Sequence, residues 1–299
     1  MEVIQSVQEL RLKLDESKYT LNEKNSTDRK MIGFIPTMGF LHAGHASLLQ
    51  QAREECDIVV LSIFVNPLQF GPNEDFEVYP RDTERDLIMA REAGIDYVFM
   101  PAVLEMYPEP IKTIIQVSKL TDSLCGASRP GHFDGVATIV AKLLHIVEPD
   151  RIYFGMKDAQ QVAVITQMIK DLHMRAIVVP CAIVRDEDGL AMSSRNVYLA
   201  PEERKQALVL SQALQKVNLW LENNGEIASL EQYLKAFIQT APIAEIDYVK
   251  ALSYPSLTEI DHIKDLKFGE RLIVALAVKF GRTRLIDNTL IEVNPERSE

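Results

Sequence analysis

MIGFIPTMGFLHAGHA, residues 31 to 46, is the stretch whose reading decides the fold. Its first part, Met31 to Ile35, is a short apolar run bounded by Pro36, the pattern of a buried parallel strand that turns at its carboxyl end. Gly39 and Gly44 let backbone come close to a ligand, where a Cβ would intrude. His42 and His45 stand three apart at the start of an apolar helical run through Leu48 and Leu49, so their imidazoles are expected on one face. In a helix's first turn, open N–H groups and the positive end of the macrodipole form an anion site, and two imidazoles add donors to it. A polyphosphate is the natural guest. Zinc fits less well, because zinc helices space H-E-x-x-H at i and i+4, whereas these histidines are three apart with no acid between them.

The whole chain bounds the reading. With 299 residues, 47% of them hydrophobic, there is material for one large domain or two smaller ones. A net charge of −11 argues against broad nucleic-acid or anionic-membrane surfaces and leaves phosphate binding to local features. Cys56, Cys125 and Cys181 are odd in number and far apart, which suggests neither a disulfide framework nor a C-x-x-C site; a reducing cytoplasm is expected. The N-terminal MEVIQSVQELRLKLDE reads as an amphipathic surface helix carrying both charge signs, and no apolar run is long enough to span a membrane.

Onward from Asn22 to Lys30, a polar linker, a strand–helix alternation follows. Ile58 to Val65 reads as a central strand ending in Asn66-Pro67-Leu68-Gln69-Phe70-Gly71, a loop whose Asn66 and Gln69 can donate and accept. A charged helix from Arg81 to Glu92 contains Asp82 and Asp86, which an ordinary helix start explains, so no metal ligand is assigned. Tyr97 to Met100 and Thr113 to Val117 are further strand candidates. A loop from Ala127 to Gly135, with Arg129 and His132, precedes an apolar helix from Val136 to Val147. Arg151 to Phe154 is another buried strand, delivering Gly155, Met156, Lys157, Asp158, Gln160 and Gln161 into a helix in the layout already met at the histidines. Lys157 offers a point charge to a phosphate and Gln161 an amide one turn later. Ala176 to Val179 and Ala182 to Val184 continue the strand pattern. After the polar turn Arg185 to Gly189, Met192-Ser193-Ser194-Arg195 sets two hydroxyls and a guanidinium side by side, a compact donor set for phosphate oxygens. Beyond Pro201 come two helices, joined near Asn223-Asn224-Gly225, and strands near Ile246 to Ala251, Leu272 to Val278 and Arg284 to Ile291. The expected architecture is α/β: a doubly wound, Rossmann-like parallel sheet over residues 1–185, with a smaller C-terminal α+β domain over 186–299 hinged near 186–200.

These segments resemble the nucleotidyltransferase superfamily that shares an H-x-G-H helix start with class I aminoacyl-tRNA synthetases: His42-Ala43-Gly44-His45, with Met192 to Arg195 similar to the mobile second signature. PTMGFLHAGH, FVNPLQFG, RPGHFDGV, FGMKDAQQ and LAMSSRNVYL, in that order from Pro36 to Leu199, resemble more closely the pantothenate synthetase family of pantoate:β-alanine ligases, and the likeness runs on through Arg284-Leu285-Ile286-Asp287-Asn288. The resemblance implies an ATP-dependent condensation of pantoate with β-alanine through a pantoyl adenylate. It implies that Met38, Gly39, His42, His45, Gly155, Met156, Lys157, Asp158, Val184, Met192, Ser193, Ser194 and Arg195 form the ATP site, with His45 the proton donor and the cationic and hydroxyl donors on phosphates. Gln69 and Gln161 would hold pantoate, with Asn66, Arg129 and His132 in the matching loops. Mg2+ would ride on the ATP phosphates, and the assembly would be a homodimer. Another adenylyl- or nucleotidyltransferase with H-x-G-H is the alternative, but it has no need of the paired glutamines. A tRNA-charging role fits poorly with so acidic a chain.

Overall fold

The structure, a computed structural model, describes residues 1–21, 27–72, 76–223 and 226–292. Part of the expected Asn22 to Lys30 linker, residues 22–26, and positions 224 and 225 of the expected helix–helix loop lie outside the described residues. The chain divides into two units: residues 1–117, 129–156 and 164–182 form the first, and 118–128, 157–163 and 183–299 the second. A single boundary at 185/186 was the expectation; two earlier segments also join the second unit. Hydrogen bonds too distant in sequence to leave a local pattern tie them to that unit, Asn288 Nδ2 donating to Lys157 O at 2.9 Å and Ser128 Oγ to Asp247 Oδ1 at 2.9 Å, and to each other. The Gln160 carboxamide donates to Leu120 O and Ser123 O, both at 2.8 Å, and accepts from Gly126 N at 3.3 Å.

The strands of the first unit are β1 (Glu2–Ile4), β2 (Tyr19–Leu21), β3 (Thr27–Arg29), β4 (Ile32–Thr37), β5 (Ile58–Ile63), β6 (Tyr97–Phe99), β7 (Arg151–Gly155) and β8 (Ile177–Cys181). Six of them form one parallel sheet in the order β1-β6-β5-β4-β7-β8, while β2 and β3 pair antiparallel to each other. From β4 the chain steps outward through β5 and β6, then returns to the other side of β4 for β7 and β8. With right-handed crossovers that reversal lays helices on both faces, which is the doubly wound arrangement, and makes the gap between β4 and β7 its switch point. The helices along the chain are α1 (Val7–Ser17), α2 (Ala43–Glu55), α3 (Thr83–Glu92), α4 (Val103–Met106), α5 (Leu124–Ser128), α6 (His132–Val147), α7 (Ala159–Asp171), α8 (Pro201–Ala207), α9 (Val209–Gln215), α10 (Val217–Asn223) and α11 (Ile227–Ile238).

Strand β4 is buried as a parallel strand covered on both faces must be, with Ile32, Phe34 and Ile35 all at 0% exposure. It runs through Pro36 rather than stopping there. Its ladder with β5 continues to the Thr37–Ile63 pair, but its ladder with β7 ends at Phe34–Ile152, two residues before the proline. Pro36 therefore deprives no bond on the β7 side. The same early ending leaves the carboxyl ends of β4 and β7 unpaired with each other at the switch point, though each stays paired on its other side.

Several sequence expectations change: the first of the two helices expected beyond Pro201 is three short ones, α8, α9 and α10, and residues 27–29 of the expected linker form β3. The N-terminal helix is preceded by β1, a three-residue edge strand that pairs with β6 from Glu2–Tyr97 to Ile4–Phe99, too short to show a period. Thr113 to Val117 is not a strand; its Ile115 N–H is satisfied by Thr138 Oγ1 at 3.0 Å instead of a ladder. Helix α6 starts at His132, so His132 is a helix-start residue rather than a loop residue. Strand β8 ends at Cys181, leaving Ala182 to Val184 outside it; its Pro180 is tolerated because β8 is a sheet edge.

In the second unit, β9 (Ala244–Tyr254), β10 (Arg271–Phe280) and β11 (Thr283–Ile291) form an antiparallel sheet in the order β11-β10-β9. Leu210, Leu214, Leu230 and Leu234 from the helices pack with Val274, Leu276 and Phe280 of β10 in its core. Among the described residues no helix is long and apolar enough to cross a membrane.

All three cysteines are buried and free. Burial pushes the Cys181 thiol up to about 11 and also raises Cys56. We expect a colorimetric thiol reagent at pH 8 to label the native protein slowly and all 3 thiols promptly in denaturant; prompt labelling of the native chain would show that these side chains are accessible.

Candidate functional site

The loop between β4 and α2 turns through two left-handed residues, Gly39 at φ +85° and Phe40 at φ +51°. A non-glycine residue is held in that region only at a cost, and the compensation is visible. Asp86 of α3, 1% exposed, accepts from Phe40 N at 2.8 Å through Oδ2 and from Leu41 N at 2.6 Å through Oδ1. A Cβ on Gly39 would lie 3.0 Å from Asp86 Oδ2, so the glycine answers both the backbone angle and the close approach. Burial raises the Asp86 pKa above the ordinary carboxylate value, and the two amides oppose that rise. Asp82, by contrast, is the N-cap of α3, accepting from Arg85 N at 3.1 Å.

The loop delivers His42 as the N-cap of α2. His42 Nδ1 accepts from Gly44 N at 3.1 Å, and His45 Nδ1 accepts from His42 N at 3.3 Å, the reciprocal arrangement of a capping box built from two imidazoles. The rings lie 4.1 Å apart, centroid to centroid. A neutral imidazole whose Nδ1 accepts carries its proton on Nε2, so capping fixes the tautomer of both rings and makes each Nε2–H the donor. This differs from the expected open first turn: the Gly44 N–H is taken by His42, and the His45 N–H bonds His42 O at 2.8 Å. What the helix offers an anion is the positive end of its dipole and the two ring donors more than its backbone amides.

Beside β4, strand β5 leads to Asn66 and a single 3-10 turn, Pro67–Gln69. Gln69 Nε2 donates to Met38 Sδ at 2.9 Å, which joins this loop to the one after β4. Asn66 is 1% exposed and engaged on both sides. Its Nδ2 donates to Gln69 Oε1 at 3.3 Å and Gly135 O at 3.1 Å, and its Oδ1 accepts from Tyr107 OH at 2.8 Å and Leu68 N at 3.3 Å. His132 Nδ1 donates to Gln69 O at 2.8 Å while Arg129 Nη1 donates to His132 Nε2 at 3.1 Å. Asn66, Arg129 and His132 thus converge on Gln69 from three directions.

Gly135 of α6 allows this convergence. A Cβ there would fall 2.2 Å from Leu68 O and 2.7 Å from Gln69 N. We expect Gly135→Ala to lower the unfolding free energy by about 3 kcal/mol, the upper range for overpacking, in a urea titration. Wild-type stability would show instead that the 66–69 turn yields without cost.

Gly155 ends β7 on the far side of the switch point, and Met156–Asp158 forms one 3-10 turn ahead of α7. Lys157 and Gln161 belong to the second unit, as do Val184 and Met192 to Arg195. There Arg185 and Ala191 form an antiparallel bridge, and Met192 N donates to Val184 O at 3.0 Å, closing a short hairpin. Ser193 caps the following 3-10 segment, Ser194–Tyr198, by accepting from Arg195 N. The expected residues are thus divided between the units: Met38, Gly39, His42, His45, Asn66, Gln69, Arg129, His132, Gly155 and Met156 lie in the first, and Lys157, Asp158, Gln161, Val184, Met192, Ser193, Ser194 and Arg195 in the second. Asp86 escaped the sequence reading because an acid in a helix's first turn is ordinary; only its burial beneath a glycine loop marks it. Among the described residues no group of three or more His, Cys, Asp or Glu side chains is arranged to hold a metal ion.

A doubly wound sheet with a histidine-capped helix after its switch-point strand β4 and a carboxamide-bearing turn after the neighbouring β5 defines an α/β protein of the kind that binds ligands outside the carboxyl ends of its strands. The chain matches the Pantoate-beta-alanine ligase family over residues 2–290, and it belongs to that family of ligases. A pantothenate synthetase from Acetivibrio thermocellus is 56% identical over 265 residues, covering 88% of this chain and 92% of the relative. One from Caldicellulosiruptor bescii is 48% identical over 293 residues, 98% of this chain and 99% of the relative. Among solved structures, pantothenate synthetase from Thermus thermophilus superposes with a TM-score of 0.85 at 44% identity, covering 97% of this chain and 99% of that one. The pantoate-beta-alanine ligase from Francisella tularensis, complexed with beta-gamma ATP and beta-alanine, superposes with a TM-score of 0.77 at 31% identity, covering 99% of both chains.

Proposed function

We propose that this chain condenses pantoate with β-alanine, driven by ATP, in two half-reactions. A pantoate carboxylate oxygen attacks the α-phosphorus, the bond to the β-phosphate breaks, and pyrophosphate leaves. The β-alanine amine then attacks the acyl carbon, AMP departs, and the amine loses a proton to give pantothenate. The observation that carries this reading is the pair of capped imidazoles at the switch point, two fixed Nε2–H donors at a helix's positive end, in a chain related along nearly its whole length to pantoate-beta-alanine ligases. Phosphoryl transfer of this kind needs positioning and charge stabilisation rather than a protein nucleophile.

In this reading His42 and His45 face the phosphates, His45 giving the proton or hydrogen bond that the α-phosphate oxygens need as charge builds. Lys157, Ser193, Ser194 and Arg195 take the leaving pyrophosphate, with Met38, Gly39, Gly155, Met156, Asp158, Val184 and Met192 around the nucleotide. Gln69 and Gln161 hold pantoate through neutral amides, which orient the nucleophilic carboxylate without pinning it as an ion pair. Asn66, Arg129 and His132 set the direction of Gln69 through the bonds described above. Mg2+ fits as a passenger on the triphosphate: with Asp82 and Asp86 spent on backbone amides, its ligands would be phosphate oxygens and water, and when bound it would neutralise charge between the phosphates. Residues 186–299 act as a lid over ATP, carrying Met192 to Arg195 with them, and the working assembly is a homodimer in the cytoplasm. Light scattering tests the dimer.

The chain is tested by supplying ATP, pantoate and β-alanine together and singly. AMP, pyrophosphate and pantothenate should appear in equal amounts only with all three present. ADP in place of AMP, or pyrophosphate release that ignores pantoate, would point to a different transferase.

A further inference from the structure

Arg284-Leu285-Ile286-Asp287-Asn288 lies on β11 and enters none of the steps above. Two of its side chains nevertheless reach both segments of the second unit that carry phosphate donors. Asn288, 5% exposed, donates from Nδ2 to Lys157 O at 2.9 Å across 131 residues of chain. Asp287, 2% exposed, accepts from Asn288 N at 2.8 Å and holds Arg185 with both carboxylate oxygens, at 2.7 and 3.0 Å. Arg185 begins the hairpin that closes on Ala191 and Met192, and Asn196 Nδ2 donates to Ala191 O at 3.1 Å, bracing the Ser193 to Arg195 segment from its far side.

We propose that Asn288 and Asp287 are positioning residues: Asn288 fixes the backbone from which Lys157 projects, and Asp287, through Arg185, fixes the hairpin that delivers Ser193, Ser194 and Arg195. Because the two anchors are consecutive in one strand, their Cα atoms are about 3.8 Å apart and cannot drift. The ammonium and the hydroxyl–guanidinium set are thereby registered to one another through β11. A neutral carboxamide suits the first anchor, since it can donate to a carbonyl without placing a charge beside the lysine. A bidentate carboxylate suits the second, since two parallel bonds fix the guanidinium's angle as well as its distance. The proposal rests on the reading of Lys157 as a phosphate ligand, and the test separates the two.

The test is a double-substitution cycle on kcat/KM for ATP with wild type, Asn288→Ala, Lys157→Ala and both together, each checked for an unchanged thermal midpoint. Misplacement of a reacting group by about an ångström costs roughly 100-fold, so Asn288→Ala should lower kcat/KM about 10- to 100-fold in the wild-type background. With Lys157 already replaced, the same change should cost less than about threefold, because the group it positions is gone. Equal losses in both backgrounds would overturn the proposal and leave Asn288 a purely structural residue. Wild-type activity in Lys157→Ala would instead overturn the phosphate reading of Lys157. If Asn288→Ala does not fold, Asn288→Ser, which keeps a polar group in the strand, takes its place in the same cycle with the same criteria.

Discussion

Replacing His45 by alanine should slow formation of the adenylate by about 100- to 1,000-fold, the cost of roughly 2.7–4 kcal/mol typical for deleting a donor aimed at transition-state charge. The imidazole has two separable jobs. Its Nδ1 accepts from the His42 amide, a capping bond whose loss costs about 1 kcal/mol of stability. In the proposed mechanism its Nε2–H is the donor for charge that appears on the phosphate only as the bond to pyrophosphate breaks. His45→Asn separates these jobs: the shorter side chain can still accept from the His42 amide, but it does not carry a donor out to the Nε2 position. Rapid-quench measurement of pyrophosphate release with ATP and pantoate should therefore show both variants slow, with His45→Asn the more stable. A near-wild-type burst in either would remove His45 from the chemistry. Lys157→Ala is expected to lose a similar factor with less effect on the fold, since Lys157 is only partly buried.

The second large effect should come from Asp86, through the two loop amides it holds. Asp86→Ala leaves the Phe40 and Leu41 amides without their acceptor, at about 1–3 kcal/mol each. Removing a buried charge returns part of that, so a net destabilisation of about 2 kcal/mol is expected. The activity loss should be larger, about 100-fold, because the left-handed turn at Gly39 and Phe40 that brings His42 to its capping position loses its brace. Asp86→Asn adds a pH signature. The folded-state pKa of Asp86 is raised, so in the window between the unfolded and folded values the native state binds more protons than the unfolded one. The Asp86 contribution to stability thus falls as pH rises through that window. Asp86→Asn should lack this dependence in acid-range urea titrations. Identical pH profiles for wild type and Asp86→Asn would mean that the carboxyl titrates alike in the folded and unfolded chain, contradicting the rise that burial gives it.

Much of this site is written locally in the chain. β4 and β5 are mostly apolar runs, the glycines and histidines follow β4 directly, and strand–helix alternation leads by simple rules to a doubly wound sheet with a switch point beside β4. The sequence-distant contacts left no such trace. Asp86 lies 45 residues from the Leu41 amide it holds, and Asn288 lies 131 from Lys157, so neither shows a spacing or period. The histidines show a subtler limit. Their three-residue spacing identifies one helix turn, but not that His42 stands outside the helix as its cap, which changes which ring nitrogen bears the proton. Strand β1 is legible only through its partner: three residues carry no alternation, and Glu2 to Ile4 is a strand because β6 has an open edge beside it.

The most direct test of acyl-adenylate chemistry in this chain is the fate of an oxygen atom. Pantoate labelled with oxygen-18 in its carboxylate should, during turnover with ATP and β-alanine, transfer a single labelled oxygen to the phosphate of each AMP, because the acyl carbon–oxygen bond breaks when the amine attacks. Mass spectrometry of the AMP reads it. Labelled AMP, with the other labelled oxygen left in the amide of pantothenate, is the predicted result; unlabelled AMP, with the departing label in inorganic phosphate, pyrophosphate or water, would contradict attack of the carboxylate on the α-phosphorus.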